Sequence, residues 1–178
     1  MSFPQQAYVF GQRAHRGQVR KYTGEHYFSH CIAVAQLVSD FTNDENVIAA
    51  ALLHDTVEDC DVSIEEIAEK FNDTIAEYVW YLTKPPSFVG DRAKRKAHDR
   101  NRLREAPDMA RLIKCMDIKH NSMSIKEYDP GFWKTFSSEA VLLLDAMQAG
   151  ELVSQYCGSS YKQKVFMPWF EALVEGSK

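Results

Sequence analysis

The segment His54-Asp55-Thr56-Val57-Glu58-Asp59 sets one histidine and three carboxylates directly after the apolar run Ala49-Ala50-Ala51-Leu52-Leu53. On a continuous helix, residues three and four apart share a face. His54 would then face Glu58, Asp55 would face Asp59, and Asp55 and Glu58 would be neighbours. Asp61 lies just beyond. Carboxylates this crowded repel one another, and anions near a helix C-terminus oppose the macrodipole. A cation relieves both effects, and a divalent metal is the obvious candidate. A lone His-Asp pair is a common dipeptide and is better read as a buried helix fraying into a solvated acidic turn. The apolar run before it and the second acidic pair after it favour the metal.

Other residues carry the same kind of signal. Asp117 follows Leu112-Ile113-Lys114-Cys115-Met116, where a carboxylate is costly to bury unless it is paired, hydrogen-bonded or bound to a cation. Asn121 lies one turn later on the same face, and Ser124 follows. His30 stands at the start of a helical pattern; alone, it would be a packing or capping residue. Taken together, His30, His54, Asp55 and Asp117 come from three expected helices. They would make a two-histidine, two-carboxylate site suited to Mn²⁺, Fe²⁺, Mg²⁺ or Zn²⁺, with positions left for water and substrate oxygens. Two basic tracts accompany this set. The stretch Arg16–Glu25 has two glycines and three cations and reads as a loop. By itself it is best taken as solvated, yet Arg20 and Lys21 are suited to phosphate contacts. The run 91–105 is a charged helix in which Arg92, Lys96 and Arg100 share a face at four-residue spacing. Its ordinary reading is a solvated face, and its sharper one a basic lid over an anionic ligand.

The elements that must position these groups are helical. Apolar spacing predicts helices over 3–16 and 29–40, the latter with Ser29 as N-cap. A third, capped by Asn43 or Asp44, leads into His54-Asp55. Ser63-Ile64-Glu65-Glu66 is a capping box that opens a fourth, and a fifth covers about 73–83, stopped by Pro85-Pro86 and Gly90. Pro107 begins another helix. Asp129-Pro130-Gly131 is a turn before a helix over 132–149 that ends at Gly150, and residues 151–175 form one or two more, separated by Gly158-Ser159-Ser160. With no convincing strand or repeat, the expected fold is all-α, a bundle of roughly eight to ten helices.

Composition narrows the function classes. The 178 residues suit one domain or one with an appendage, and 45% hydrophobic with 26% charged residues is ordinary for a globular chain. A net charge of −4 argues against a general nucleic-acid binder. No apolar run approaches the roughly 20 residues that span a bilayer, and Met1–Gln6 lacks signal-peptide features. A cytoplasmic location is expected. Cys31, Cys60, Cys115 and Cys157 are scattered, so reduced thiols are the default.

Five segments, in order over residues 7–124, resemble the HD superfamily of metal-dependent phosphohydrolases, and within it the hydrolase domain of the RelA/SpoT group. They are Ala14–Lys21, Tyr27–Ala35, Ala51–Asp59, Leu82-Thr83-Lys84 and Leu112–Asn121. In size the chain is similar to the small alarmone hydrolases. The resemblance implies a single HD domain over 1–178, with 150–178 as a C-terminal helical extension. It implies that His30, His54, Asp55 and Asp117 hold a Mn²⁺-like ion, that Glu58 and Asp59 are the catalytic acidic pair, and that Arg20, Lys21, Asn121 and Ser124 lie near a nucleotide. The implied reaction is hydrolysis of a 3′-pyrophosphate from (p)ppGpp or (p)ppApp, releasing pyrophosphate. The substrate is thus a small nucleotide, with neither nucleic acid nor membrane as partner, and monomer and homodimer both stay open. No synthetase domain fits in this length. Three departures are visible. The Arg-Lys to histidine spacing is one residue longer than in the long bacterial enzymes, His26 replaces a proline, and Met116-Asp117-Ile118-Lys119 replaces Ala-Asp-Arg-Leu. The last leaves the base open. Alternatives are an HD enzyme that hydrolyses nucleoside 5′-phosphates, or a non-catalytic nucleotide-binding module.

Overall fold

A computed structural model describes residues 1–84 and 90–178. The expected stop at Pro85-Pro86 lies outside the described residues. Among those described, every regular element is helical, and the one β-feature is an isolated antiparallel bridge between Val19 and His26. The protein is therefore all-α. It divides into two compact units, Met1–Lys84 and Pro85–Lys178.

The first unit is built on α3 (Glu45–Leu53), whose Val47 and Ala49 to Leu53 are all buried. The alanines let neighbouring helices approach, and α1 (Phe3–Ala14), α2 (Phe28–Ser39) and α6 (Asp73–Leu82) all pack on α3. Gly11 of α1 belongs to that close approach: a Cβ there would overlap the Phe28 ring and lie 3.2 Å from the Leu52 carbonyl oxygen. Asp44 caps α3 by accepting from the Asn46 amide at 2.8 Å, and Asn72 caps α6 through the Ile75 amide at 2.9 Å.

Three local features of this unit differ from expectation. The N-cap of α2 is Tyr27, and Ser29 lies inside the first turn, because the loop's last hydrogen bond, from the Tyr27 amide to the Gln18 carbonyl, starts the helix two residues earlier. Helix α3 does not run on through His54-Asp55. The His54 ring contacts the Ala51 carbonyl through Nδ1 at 2.8 Å and the Thr56 hydroxyl donates to the Leu53 carbonyl at 2.7 Å, which ends α3 and starts a one-turn α4 (Thr56–Asp59). The capping box before α5 (Ile64–Lys70) is half made. Ser63 accepts from the Glu66 amide at 3.1 Å, while the Glu66 carboxylate turns to Lys70.

In the second unit, α7 (Arg92–Arg104) is capped by Asp91 and α8 (Asp108–Tyr128) begins after Pro107. Leu112, Ile113 and Met116 of α8 are fully buried, each burial contributing about 1.5–3 kcal/mol. Helix α9 spans Pro130–Ala146 and stops before the expected Gly150. The break falls at Gln148, which takes the left-handed conformation (φ 52°), and Gly150 lies inside α10 (Ala149–Tyr161). Gly158, with φ of 74°, interrupts α10 where a separator was expected. A π-helical turn, Lys162–Phe166, leads into α11 (Met167–Gly176), which packs on α9. No helix among the described residues is long and apolar enough to cross a membrane.

Candidate metal centre and acidic pair

The first turn of α2 carries Tyr27 and His30, the end of α3 carries His54, and the junction with α4 carries Asp55. Their side chains meet at one oxygen. His54 Nε2 lies 3.2 Å and His30 Nε2 3.6 Å from Oδ2 of Asp55, and both histidines are buried. The two rings meet edge to face, with centroids 5.2 Å apart. Tyr27 donates its hydroxyl to the same Oδ2 at 2.8 Å.

The backbone assigns the histidine chemistry. With Nδ1 of His54 donating to the Ala51 carbonyl, the neutral ring carries its lone pair on Nε2, which faces a carboxylate oxygen. Two imidazole nitrogens and a carboxylate oxygen that face one another are a donor set suited to a hard or borderline divalent ion. The residues present in the first unit therefore fit a metal. The buried Cys31 thiol is also within 4.8 Å of ligand atoms of His54 and Asp55, a neighbour that spacing alone did not reveal.

Helix α4 presents the acidic pair. Breaking α3 did not separate Asp55 from Asp59, because the Asp59 amide still donates to the Asp55 carbonyl at 2.9 Å. Glu58 is held at both oxygens by Lys84, through Nζ to Oε1 and through the backbone amide to Oε2 at 3.3 Å. Asp59 is fixed from the other side. Gln18 donates from Nε2 to the Asp59 carbonyl oxygen at 2.7 Å, and its Oε1 lies 2.8 Å from Nδ1 of the buried His15. Partial burial pushes the Asp59 carboxyl above its ordinary range, the negative charges of Asp55 and Glu58 add to this, and the hydrogen bond with Tyr27 opposes it. Burial and the Asp55 and Asp59 carboxylates raise Tyr27 far above a normal phenol, so it stays a proton donor at any working pH. The Cys60 thiol is pushed up to about 11, first by burial and then by Asp59, and remains protonated.

The loop before α2 brings the Arg20 guanidinium 6.0 Å from the Tyr27 ring centroid, while Lys21 folds over Tyr22. In the second unit, Asp117 is buried on α8 and held at both oxygens, by Lys114 Nζ at 2.7 Å and Asn121 Nδ2 at 2.6 Å. Ser124 donates back to the Asn121 carbonyl. On α7, Arg92 and Lys96 both pair with Glu139 of α9, and Arg100 follows on the same face, half-buried.

Sequence reasoning thus named His30, His54 and Asp55, which the fold brings together, and Glu58 and Asp59 beside them. It did not single out Tyr27, His15, Gln18 or Lys84, although all four lie inside the segments that carry the family resemblance.

The family model of the HD domain matches residues 7–125. Curated relatives include a Vibrio cholerae protein named guanosine-3′,5′-bis(diphosphate) 3′-pyrophosphohydrolase, 43% identical over 79 residues, 44% of this chain and 11% of that protein. A Brucella melitensis protein named GTP pyrophosphokinase rsh is 37% identical over 125 residues, 67% of this chain and 16% of that protein. The match thus spans a small fraction of these longer relatives. A solved structure described as a metazoan ortholog of SpoT that hydrolyses ppGpp superposes with a TM-score of 0.71 at 24% identity, covering 89% of this chain and 98% of that one. At that identity the likeness shows the fold.

Proposed function

The chain belongs to the HD domain family, and on that premise we propose that it is a divalent-metal-dependent 3′-pyrophosphohydrolase of alarmone nucleotides, (p)ppGpp or (p)ppApp. The observation that carries this reading is the convergence of His30 and His54 Nε2 on Oδ2 of Asp55, one turn ahead of Glu58-Asp59. The name of the Vibrio cholerae relative supports the substrate class.

Asp117 is proposed as the fourth ligand, with His30, His54 and Asp55, and Mn²⁺ as the ion. Such an ion supplies charge stabilisation at phosphate oxygens and lowers the pKa of an attacking water. The protein's own groups do the rest. Tyr27 holds the Asp55 carboxylate in place. Asp59, with its raised pKa, carries a proton more readily than an ordinary aspartate, as a group passing protons to and from the reacting oxygens should. Glu58 orients the water. Water attacks the 3′-linked phosphorus, the bond from that phosphorus to the ribose 3′-oxygen breaks, and a proton goes to the leaving oxygen. Arg20 and Lys21 bind the polyphosphate through charge-assisted hydrogen bonds, with Asn121 and Ser124 near the nucleoside and Arg92, Lys96 and Arg100 as a secondary cationic face. A cytoplasmic setting suits the four free cysteines.

Product analysis of the Mn²⁺-loaded protein with ppGpp and ppApp side by side tests this, with Asp59→Asn as control. Pyrophosphate that disappears in the variant supports the reaction, and the better substrate names the base. Inorganic phosphate in its place moves the assignment to 5′-nucleotide hydrolysis. Binding without any product makes the domain a nucleotide sensor.

A further inference from the structure

Lys84 meets both oxygens of Glu58 from 26 residues away in sequence. The contact itself is exposed, but the helix that presents Lys84 is anchored in the core of the first unit. Ile75, Val79 and Leu82 anchor α6 in the interior. Thr83 then ends the helix in an extended conformation (φ −79°, ψ 130°), its amide and hydroxyl both donating to the Val79 carbonyl, at 2.9 and 2.8 Å. That turn leaves the Lys84 amide and side chain facing α4. Glu58 sits on a helix of a single turn, which has too few internal hydrogen bonds to hold a flexible three-torsion side chain by itself. A two-point grip on its carboxylate removes that freedom.

We propose that Lys84 is a positioning residue that acts through Glu58, aiming its carboxylate at the water beside the metal centre. This rests on the reading of the site as a phosphohydrolase centre. The ammonium supplies direction and charge at Oε1, and the backbone amide supplies the second point at Oε2, which no side-chain substitution removes. Loss of the ammonium therefore weakens the aim of Glu58 without freeing it. Misplacement of a reacting group by about 1 Å costs on the order of 100-fold in rate, so the partial loss is about 10- to 100-fold.

The experiment is a kinetic cycle on the full chain with Mn²⁺ and ppGpp, comparing wild type, Lys84→Met, Lys84→Arg, Glu58→Gln and Lys84→Met/Glu58→Gln. Bound metal per chain and the thermal midpoint are measured alongside. Lys84→Met lowers kcat by about 10- to 100-fold with KM within about twofold, and Lys84→Arg recovers most of it. In the Glu58→Gln background the same Lys84→Met change alters kcat by less than about twofold, since its partner is already gone. Metal content and midpoint stay at the wild-type values, because an exposed ion pair contributes little to stability. A rise in KM with kcat intact would make Lys84 a phosphate-binding residue and overturn the inference. So would additive losses in the double variant, or an unchanged kcat in Lys84→Met. A wild-type protein that releases no pyrophosphate overturns the proposed function itself, and this role falls with it.

Discussion

Tyr27 donates its hydroxyl to Oδ2 of Asp55 at 2.8 Å, the oxygen that both His30 and His54 face. A phenol whose pKa is driven far up stays protonated and serves the carboxylates of Asp55 and Asp59 as a hydrogen-bond donor. Its ring is held in turn, stacked on His15 at 5.0 Å and edge-on to His30 at 5.9 Å. The first unit thus contains a layer of supports behind the groups proposed to meet the metal.

Tyr27→Phe keeps that ring packing and removes the hydroxyl that bonds Asp55 and Asp59. Outer-shell losses of this kind cost about 10- to 100-fold in metal affinity. Competition with a chelating dye reads this directly; an unchanged Mn²⁺ affinity would show that Asp55 needs no such support.

Metal removal should lower stability, since an ion that binds only the folded state adds about 2.7 kcal/mol at a hundredfold excess over its Kd. For a chain of this size that is a shift of about 5–10 °C in the thermal midpoint. The shift disappears in His54→Ala, and a variant that still responds to Mn²⁺ would place the ion elsewhere.

Asp59 carries a pH signature. Its carboxyl pKa is raised in the folded state, so the native protein binds that proton more tightly than the unfolded chain. Stability from this group therefore falls as pH rises from the ordinary value of 3.8 through the raised one, and at neutral pH the ionised Asp59 is a cost. In chelator, Asp59→Asn raises the midpoint at pH 7 by about 1–2 °C, a small gain because a half-exposed carboxylate is screened. The gain shrinks as pH approaches 3.8; a gain that grows on acidification would contradict the sign.

Arg20→Ala and Lys21→Ala each raise KM about tenfold, the loss of one hydrogen bond to a charged group, with kcat little changed. Steady-state kinetics at two salt concentrations checks it, the penalty being smaller at high salt. Equal losses in kcat and kcat/KM would instead assign the residue to the transition state.

Packing gives a prediction independent of chemistry. Gly11→Ala drives a methyl into the Phe28 ring and costs about 1–3 kcal/mol, measured by denaturant unfolding. Phe28 adjoins Tyr27, so this variant also reports how closely the metal centre depends on the contact between α1 and α2.

Local patterns in the sequence determined most of the helical frame. Asp44, Ser63, Asn72 and Asp91 all cap the helices that follow them, because a cap needs only a side-chain oxygen two or three residues from an amide. The apolar run Ala49–Leu53 announced the buried α3, and the residue types His30, His54, Asp55, Glu58 and Asp59 marked the side chains that the proposed reaction uses. Periodicity could not decide where α3 stops, since His54 and Thr56 end it with their own side-chain contacts to backbone carbonyls. Nor could it decide that α9 breaks at Gln148, a residue without glycine's freedom at positive φ. Only the tertiary structure chose which carboxylate oxygen two histidines and a tyrosine would share, and which distant residues would grip the acidic pair. Gln18 reaches Asp59 across 41 positions and Lys84 reaches Glu58 across 26. Spacing along a chain governs contacts within a turn or two, whereas such contacts depend on how whole helices pack, which the interior side chains of α1, α2, α3 and α6 settle together.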